Sequence, residues 1–318
     1  MPNYSGIWTL SQQFQAVGQG LWPLPPPPSE TFAIFALGSI TGCTNVTTRD
    51  KYTYAGDAVS AGGAATVASR CGSAAGNSTV GIFALGCTGS GVTTRNKYTY
   101  FSCVVSAGGA ATVASAAGSA AGNSTVGIFA LGFVSCISTS TTRNKYTYSG
   151  DVVSAGGAAT VASYFGSAAG NSTVGIFALG CTGSATTTRD KYTYSGCVVS
   201  AGGAATAASA GGSAAGNSTV GIFALGNVSG NRSTTRDKYT YSSDVVSAGG
   251  AATTASAFGS AAGNSTVGIF ALGCGAGVRV TTRDKYTYSG CVVGAGGAAT
   301  TASRRGSAAS NGTSGVNM

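Results

Sequence analysis

The strongest constraint on this chain is a unit of sequence written six times over. Its clearest copy runs Gly72-Ser-Ala-Ala-Gly-Asn-Ser-Thr-Val-Gly-Ile-Phe-Ala-Leu-Gly86, then, after a gap, Thr93-Thr-Arg-Asn-Lys-Tyr-Thr-Tyr100 and a Gly/Ala-rich tract from Ser106 to Ser115. Ile-Phe-Ala-Leu-Gly recurs with its Phe at 35, 83, 129, 177, 223 and 270, and Lys-Tyr-Thr-Tyr with its Lys at 51, 97, 145, 191, 238 and 285. A period of about 47 residues is that of a stacked or closed array, in which each unit is too small to bury its own apolar faces and must lean on its neighbours.

Within a unit the pattern is β throughout. Val80, Ile82 and Ala84 alternate with Phe83 and Leu85, so both faces are apolar and the strand is covered on both sides. Gly76-Asn77 is a turn pair and places a hairpin between Ser73-Ala-Ala75 and that strand. Thr94 to Tyr100 makes a third strand, with Arg95, Lys97 and Thr99 on one face and Tyr98 and Tyr100 on the other; a Val-Val pair such as Val152-Val153 begins a fourth. Four short antiparallel strands per unit make a propeller blade, the small Ser-Ala-Ala strand lying innermost where blades crowd the axis.

The ends predict closure. The last copy stops after Gly306-Ser-Ala-Ala-Ser310 without its Ile-Phe strand, and the first begins with that strand, Phe32 to Gly38, without the one before it. Pairing the two completes a sixth blade and leaves no free edge. The expected fold is all-β: a six-bladed propeller of four-stranded blades over residues 31–318, closed by pairing N-terminal and C-terminal strands in one blade.

Residues 1–30 stand outside the repeat. Ile7, Trp8, Leu10, Phe14, Val17 and Leu21 are spaced like one side of a short helix, Trp22 follows, and Pro23-Leu-Pro-Pro-Pro-Pro28 is a stiff extended spacer. Ile7, Trp8, Leu10, Phe14 and Trp22 read as a docking peptide for another protein, or as a cap folded back over the repeats. No stretch reaches the roughly 20 apolar residues of a membrane-spanning helix, so no membrane insertion is expected, and no secretory signal is visible.

The chemistry-bearing residues are few. There is no histidine, so no imidazole base or metal ligand, and no Cys-x-x-Cys spacing. Asp50, Asp190, Asp237 and Asp284 each sit between Arg and Lys, with Asn96 and Asn144 in the other two copies, a distribution that suits salt bridging. The expectation is a non-enzymatic protein without cofactor or metal. The net charge of +9 points to the repeated basic pairs, Arg49/Lys51, Arg95/Lys97, Arg143/Lys145, Arg189/Lys191, Arg236/Lys238 and Arg283/Lys285, as a candidate binding rim for an anionic partner, or as an ordinary solvated surface. The loops after Leu-Gly, Cys87 to Val92, Phe133 to Ser140 and Asn227 to Ser233, vary most and are where recognition is expected. Asn-Ser-Thr, with Asn at 77, 123, 171, 217 and 264, matches a glycosylation sequon but is accounted for by a turn.

Cysteine alternates. Repeats two, four and six carry Cys87, Cys181 and Cys274 after Leu-Gly and Cys103, Cys197 and Cys291 after the Tyr-Thr-Tyr turn; the others carry Asp57, Asp151 and Asp244 at the second position. The two cysteines of one repeat fall at opposite ends of a blade, too far apart for one disulfide. They form candidate intermolecular disulfides between stacked subunits, or record the duplication of a two-repeat unit. Cys43, Cys71 and Cys136 lie outside the alternation.

The motif order, small-Ala-Ala, turn, Ile-Phe-Ala-Leu-Gly, loop, Lys-Tyr-Thr-Tyr, turn, Val-Val, resembles the kelch repeat, with Leu-Gly where kelch units carry Gly-Gly and Val near the position of their Trp. The opening Tyr4-Ser-Gly-Ile-Trp-Thr-Leu-Ser-Gln-Gln-Phe-Gln-Ala resembles the start of bacteriophage tail-fibre and related structural proteins. That resemblance implies a virion or extracellular structural protein, a tail-fibre or capsid-surface component. It would be anchored to other virion proteins through residues 1–30 and take part in assembly and adhesion to a host-surface glycan. The alternatives are a self-assembling extracellular fibre of stacked propellers, a homo-oligomer, and a lectin with one site per blade.

Overall fold

In a computed structural model of the chain, residues 31–134, 138–275 and 277–312 are described. The expected helix and docking residues in 1–30 lie outside them. Six four-stranded antiparallel sheets make up the body. The second blade is typical: inner strand Ser73–Gly76, second strand Val80–Ala84, third strand Arg95–Thr99 and outer strand Val104–Gly108, hydrogen-bonded in that order. In the first blade the inner strand is Ser307–Ser310, from the far end of the chain, and it pairs with Phe32–Ala36 in the register Ala33 to Ser310 and Ala36 to Ser307.

A second feature ties the ends together. Two or three residues before each inner strand stands one with φ between 52° and 67°: Cys71, Ala117, Phe165, Gly211, Phe258 and Arg305. The N–H of each donates to the carbonyl of its counterpart in the preceding blade, at 2.7 to 2.9 Å, and the Cys71 N–H completes the circle on the Arg305 carbonyl. Left-handed backbone costs a non-glycine residue about 1–2 kcal/mol, and five of the six are not glycine. The cyclic hydrogen bonds hold them there. They also explain the constant Gly of Leu-Gly: a Cβ on Gly86 would lie 2.3 Å from the Cys71 carbonyl oxygen.

Between blades, the alternation expected from sequence is used on both faces. Val80 and Ile82 of the second blade pack on Ala120, Phe129, Tyr146 and Tyr148 of the third. Phe129 meets Tyr146 edge-on with ring centres 6.3 Å apart, and the equivalent Phe–Tyr pair recurs in the first, fourth, fifth and sixth blades. Inside the circle of left-handed residues, Gly and Ser of the six inner strands, Ser73, Ser119, Ser167, Ser213, Ser260 and Ser307 among them, line a cavity of about 70 Å³. The cavity has room for a handful of water molecules.

Candidate functional site

The twelve cations of the repeat separate into two layers, and neither is the open rim that their spacing suggests. Arg49, Arg95, Arg143, Arg189, Arg236 and Arg283 are each 1% exposed. Each begins a third strand and faces the next blade, where its guanidinium stacks on the second-strand Phe, Arg95 over Phe129 at 4.6 Å for example. Its end donates to the following blade's acidic or amide side chain. Arg143, Arg189, Arg236 and Arg283 reach Asp190, Asp237, Asp284 and Asp50 at 2.7 to 2.8 Å. Arg49 and Arg95 reach the Oδ1 of Asn96 and Asn144 at 3.1 Å. A threonine from the same blade as the Arg completes each clamp: Thr160 donates N–H (3.0 Å) and Oγ1–H (2.6 Å) to Asp190. The arginines are therefore interblade struts, a correction to their reading as a ligand-facing rim.

The buried Asp-paired guanidiniums are held below the ordinary arginine range by desolvation, partly offset by their carboxylates. Arg49 and Arg95, with a neutral amide as partner, are pushed down to about 10 by burial.

The lysines are two residues further along the same strands and half-exposed. Lys97, Lys191 and Lys285 pair with Asp151, Asp244 and Asp57 of the next blade at 2.8 to 2.9 Å. Each of these aspartates also accepts a tyrosine hydroxyl from its own blade, Tyr52, Tyr146 or Tyr239, at 2.6 to 2.7 Å. Lys51, Lys145 and Lys238 precede blades with cysteine at that position, and Lys51 lies over the Phe32 ring at 4.3 Å. The alternation of Cys103, Cys197 and Cys291 with Asp thus tracks a Lys–Asp pair at every second interface. Asp and Cys share one backbone conformation there, φ 54–56°.

All seven aspartates are consumed by these contacts, so the remaining arginines have no carboxylate among the described residues. Those five, Arg70, Arg232, Arg279, Arg304 and Arg305, all lie on one face, that of the loops after Leu-Gly. There each loop pairs with the segment before an inner strand: Phe133–Val134 with Ser115–Ala116, Asn227–Val228 with Ser209–Ala210, Ser39–Ile40 with Ser303–Arg304. Arg232 reaches forward one blade to the Cys274 Sγ at 3.4 Å, and Arg279 likewise to the Ser39 hydroxyl at 3.2 Å and the Cys43 Sγ at 3.3 Å. Arg304 stands 4.0 Å from the same Cys43 thiol. Arg279, by hydrogen bond and charge, and Arg304 behind it hold the Cys43 thiol below the ordinary thiol range, whereas burial pushes Cys71 up.

The axis on this face is covered. Phe165 and Phe258 meet edge-on, 5.3 Å between centres, and the Arg305 guanidinium lies over both at 5.4 and 5.0 Å. Gly211 stands between them in the ring, and a Cβ there would lie 2.7 Å from Phe258, so the crossing requires glycine. On the far side of the axis from the arginine arc, Phe133 packs on Tyr164 at 4.0 Å.

This face contains the variable loops expected from sequence to carry recognition, but its axial residues were not anticipated. A signal was present: the dipeptide before Gly-Ser-Ala-Ala reads Arg70-Cys71, Ala116-Ala117, Tyr164-Phe165, Ala210-Gly211, Ala257-Phe258 and Arg304-Arg305, the most variable pair in an otherwise constant segment. Cys87, Cys181 and Cys274 are on this face and Cys103, Cys197 and Cys291 on the opposite one, as their spacing implies; the described cysteines are free thiols. Cys274 is 1% exposed, so its burial beneath Arg232 removes it from the candidate set for bonds between subunits. Cys136 lies outside the described residues.

On the opposite face, the Asn-Ser-Thr turns act as staples. Asn77 Oδ1 accepts from the Thr79 N–H (2.9 Å), the Thr79 hydroxyl (2.8 Å) and the Val80 N–H (2.9 Å), while its Nδ2 donates to the Ser124 carbonyl of the next blade at 3.0 Å. No group of three or more metal-ligating side chains comes together among the described residues, and no helix there is long and apolar enough to cross a membrane.

No family model and no curated protein matches this chain. Among solved structures, that of YjhT superposes with a TM-score of 0.64 at 12% identity, covering 86% of this chain and 99% of that one. The similarity is one of fold.

Proposed function

We propose that this protein is a non-enzymatic structural and adhesion module: a rigid propeller that displays its loop face to a partner and is attached to a larger assembly through residues 1–30. The observation that carries this reading is the distribution of sequence change. The six blade interiors are near-copies, with the same Phe, Tyr, Arg and Asp/Asn at each interface, whereas unmatched arginines, aromatics and loop lengths gather on one face. A constant scaffold with a varied loop face is how recognition is commonly built. The tail-fibre-like opening of the chain makes a virion surface the setting we favour, with a surface glycan as partner. An axis closed down to a small serine-lined cavity and a chain without histidine support a binding role over a catalytic one.

The test is the location of the chain in native material. Antibody raised to residues 31–312 and followed by immunogold microscopy is expected to label the outside of a particle, on its head or its tail. Label confined to the particle interior, or found only on soluble protein, would sink the proposal. Label along continuous filaments would favour the stacked-propeller fibre instead.

A further inference from the structure

We infer that the arc formed by Arg70, Arg232, Arg279 and Arg304 is a binding track for a linear polyanionic polysaccharide, one bearing sulfate or carboxylate groups along its length. This rests on the reading above, in which the loop face is the recognition surface, and names the ligand class it takes.

Three observations converge. First, no carboxylate of the described residues meets this charge: all seven aspartates are spent on Arg143, Arg189, Arg236, Arg283, Lys97, Lys191 and Lys285. A like-charged cluster without counter-charge is unfavourable in isolation and attracts an anion. Second, the arginines are distributed. Arg232, Arg279, Arg304 and Arg70 come from the fifth, sixth, first and second blades, which are consecutive around the ring, so a single small anion cannot meet them all whereas a chain of anionic groups can. Third, the guanidiniums are recessed. All four are half-buried, and among the described residues no acceptor meets the enclosed Nε–H of Arg232, Arg279 or Arg304. Thiols and a hydroxyl, weak partners for a guanidinium, steady the ends of Arg232 and Arg279 without neutralising them.

Recession also decides between polyanions. The phosphates of a duplex sit on a stiff rod and meet cations that protrude, whereas sulfates or carboxylates on a flexible saccharide can turn inward to recessed forks, with the bidentate geometry arginine offers. Single-stranded nucleic acid would want free aromatic faces for stacking. Here Phe165 and Phe258 are committed to each other and to Arg305, and Phe133 to Tyr164.

The experiment uses the full chain and three probes: heparin, a 30-base-pair DNA duplex and neutral dextran, each titrated across a salt series. Heparin is expected to bind with an affinity that falls steeply with salt, dextran not to bind, and DNA to bind more weakly than heparin. The variant Arg279→Gln/Arg304→Gln should lose roughly tenfold in heparin affinity, and Arg70→Gln/Arg232→Gln should lose a comparable amount. Lys145→Gln/Lys238→Gln removes the same charge from the outer strands and should change it less than about twofold. Circular dichroism and melting establish that each variant is folded, and the two arginine pairs guard against one failing to fold. Equal losses in the lysine and arginine variants, DNA binding as tight as heparin, or no heparin binding would each overturn the inference. Surface labelling of a particle together with absent heparin binding would refute the ligand class and leave the adhesion reading standing.

Discussion

Replacing Arg143 and replacing Arg49 by methionine should have unequal consequences, because the two sit in the same strut with different partners. Arg143 is paired at 2.8 Å with Asp190, both side chains fully buried. Taking away the guanidinium leaves a buried carboxylate held only by Thr160, and breaking one half of such a pair costs about 3–5 kcal/mol. Arg49 donates instead to the Asn96 amide, which keeps its two contacts to Thr66 at 3.0 and 2.8 Å when the arginine is gone. The loss there is a hydrogen bond from a charged donor, about 1.5–3 kcal/mol, offset by no longer burying a cation without a counter-charge. Both lose a stacking contact with a phenylalanine, Phe177 or Phe83, at 4.6 and 4.5 Å, which cancels in the comparison. Methionine keeps much of the side-chain volume. Urea denaturation should therefore place Arg143→Met about 2 kcal/mol or more below Arg49→Met. Asp190→Asn, which copies the Asn96 interface, should be the milder change at that site, and Arg143→Met/Asp190→Leu should recover part of the loss because no charge is left buried. Equal destabilisation by Arg143→Met and Arg49→Met would refute the assignment of the cost to the orphaned carboxylate.

Raising the pH should unfold the protein through its tyrosines. Burial raises the twelve repeat phenols, Tyr52 and Tyr54 through Tyr286 and Tyr288, above their ordinary range. Above pH ~10 the unfolded chain releases protons that the native state keeps. Stability is thus full below that pH and falls above it, by about 1.4 kcal/mol per pH unit for each phenol still protonated in the native state. The six buried arginines, lowered in the native state, act oppositely, since the unfolded chain keeps their protons to higher pH, but they are outnumbered by the phenols. Urea midpoints from pH 8 to 11, followed with phenolate absorbance, should show a cooperative loss; native-state titration of most tyrosines near pH 10 would contradict it. Among the described thiols Cys43 and Cys103 are the exposed ones, and Cys43, beside Arg279 and Arg304, should react roughly tenfold faster with a dianionic aromatic disulfide reagent. Peptide mapping after partial labelling checks this, and equal rates, or Cys103 first, would oppose it. Asn123→Ala removes a staple whose Oδ1 meets the Thr125 and Val126 N–H groups and whose Nδ2 meets the Ser172 carbonyl, and should cost about 1–2 kcal/mol in chemical denaturation. No measurable change would show that the turn holds without it.

The repeat by itself determined the blade. Alternation of Val80, Ile82 and Ala84 with Phe83 and Leu85 can be satisfied only by a strand covered on both faces, and the strand missing at each end, Phe32–Ala36 against Ser307–Ser310, required the ends to pair. Opposite placement of the two cysteines in a repeat also follows from strand direction alone. What the sequence left undecided was which side chains meet across an interface, because that depends on the rotation between blades and not on any local pattern. Arg-x-Lys alternation puts Arg95 and Lys97 on one face of a strand, and sequence cannot say that the first is sealed beneath the next blade while the second reaches its edge. Only the tertiary structure showed that the repeated charges meet between blades, seven of the twelve cations on an aspartate of the next blade. The positive charge on the loop face belongs to Arg70, Arg232, Arg279, Arg304 and Arg305, which belong to no repeat motif and are brought to one face by the ring.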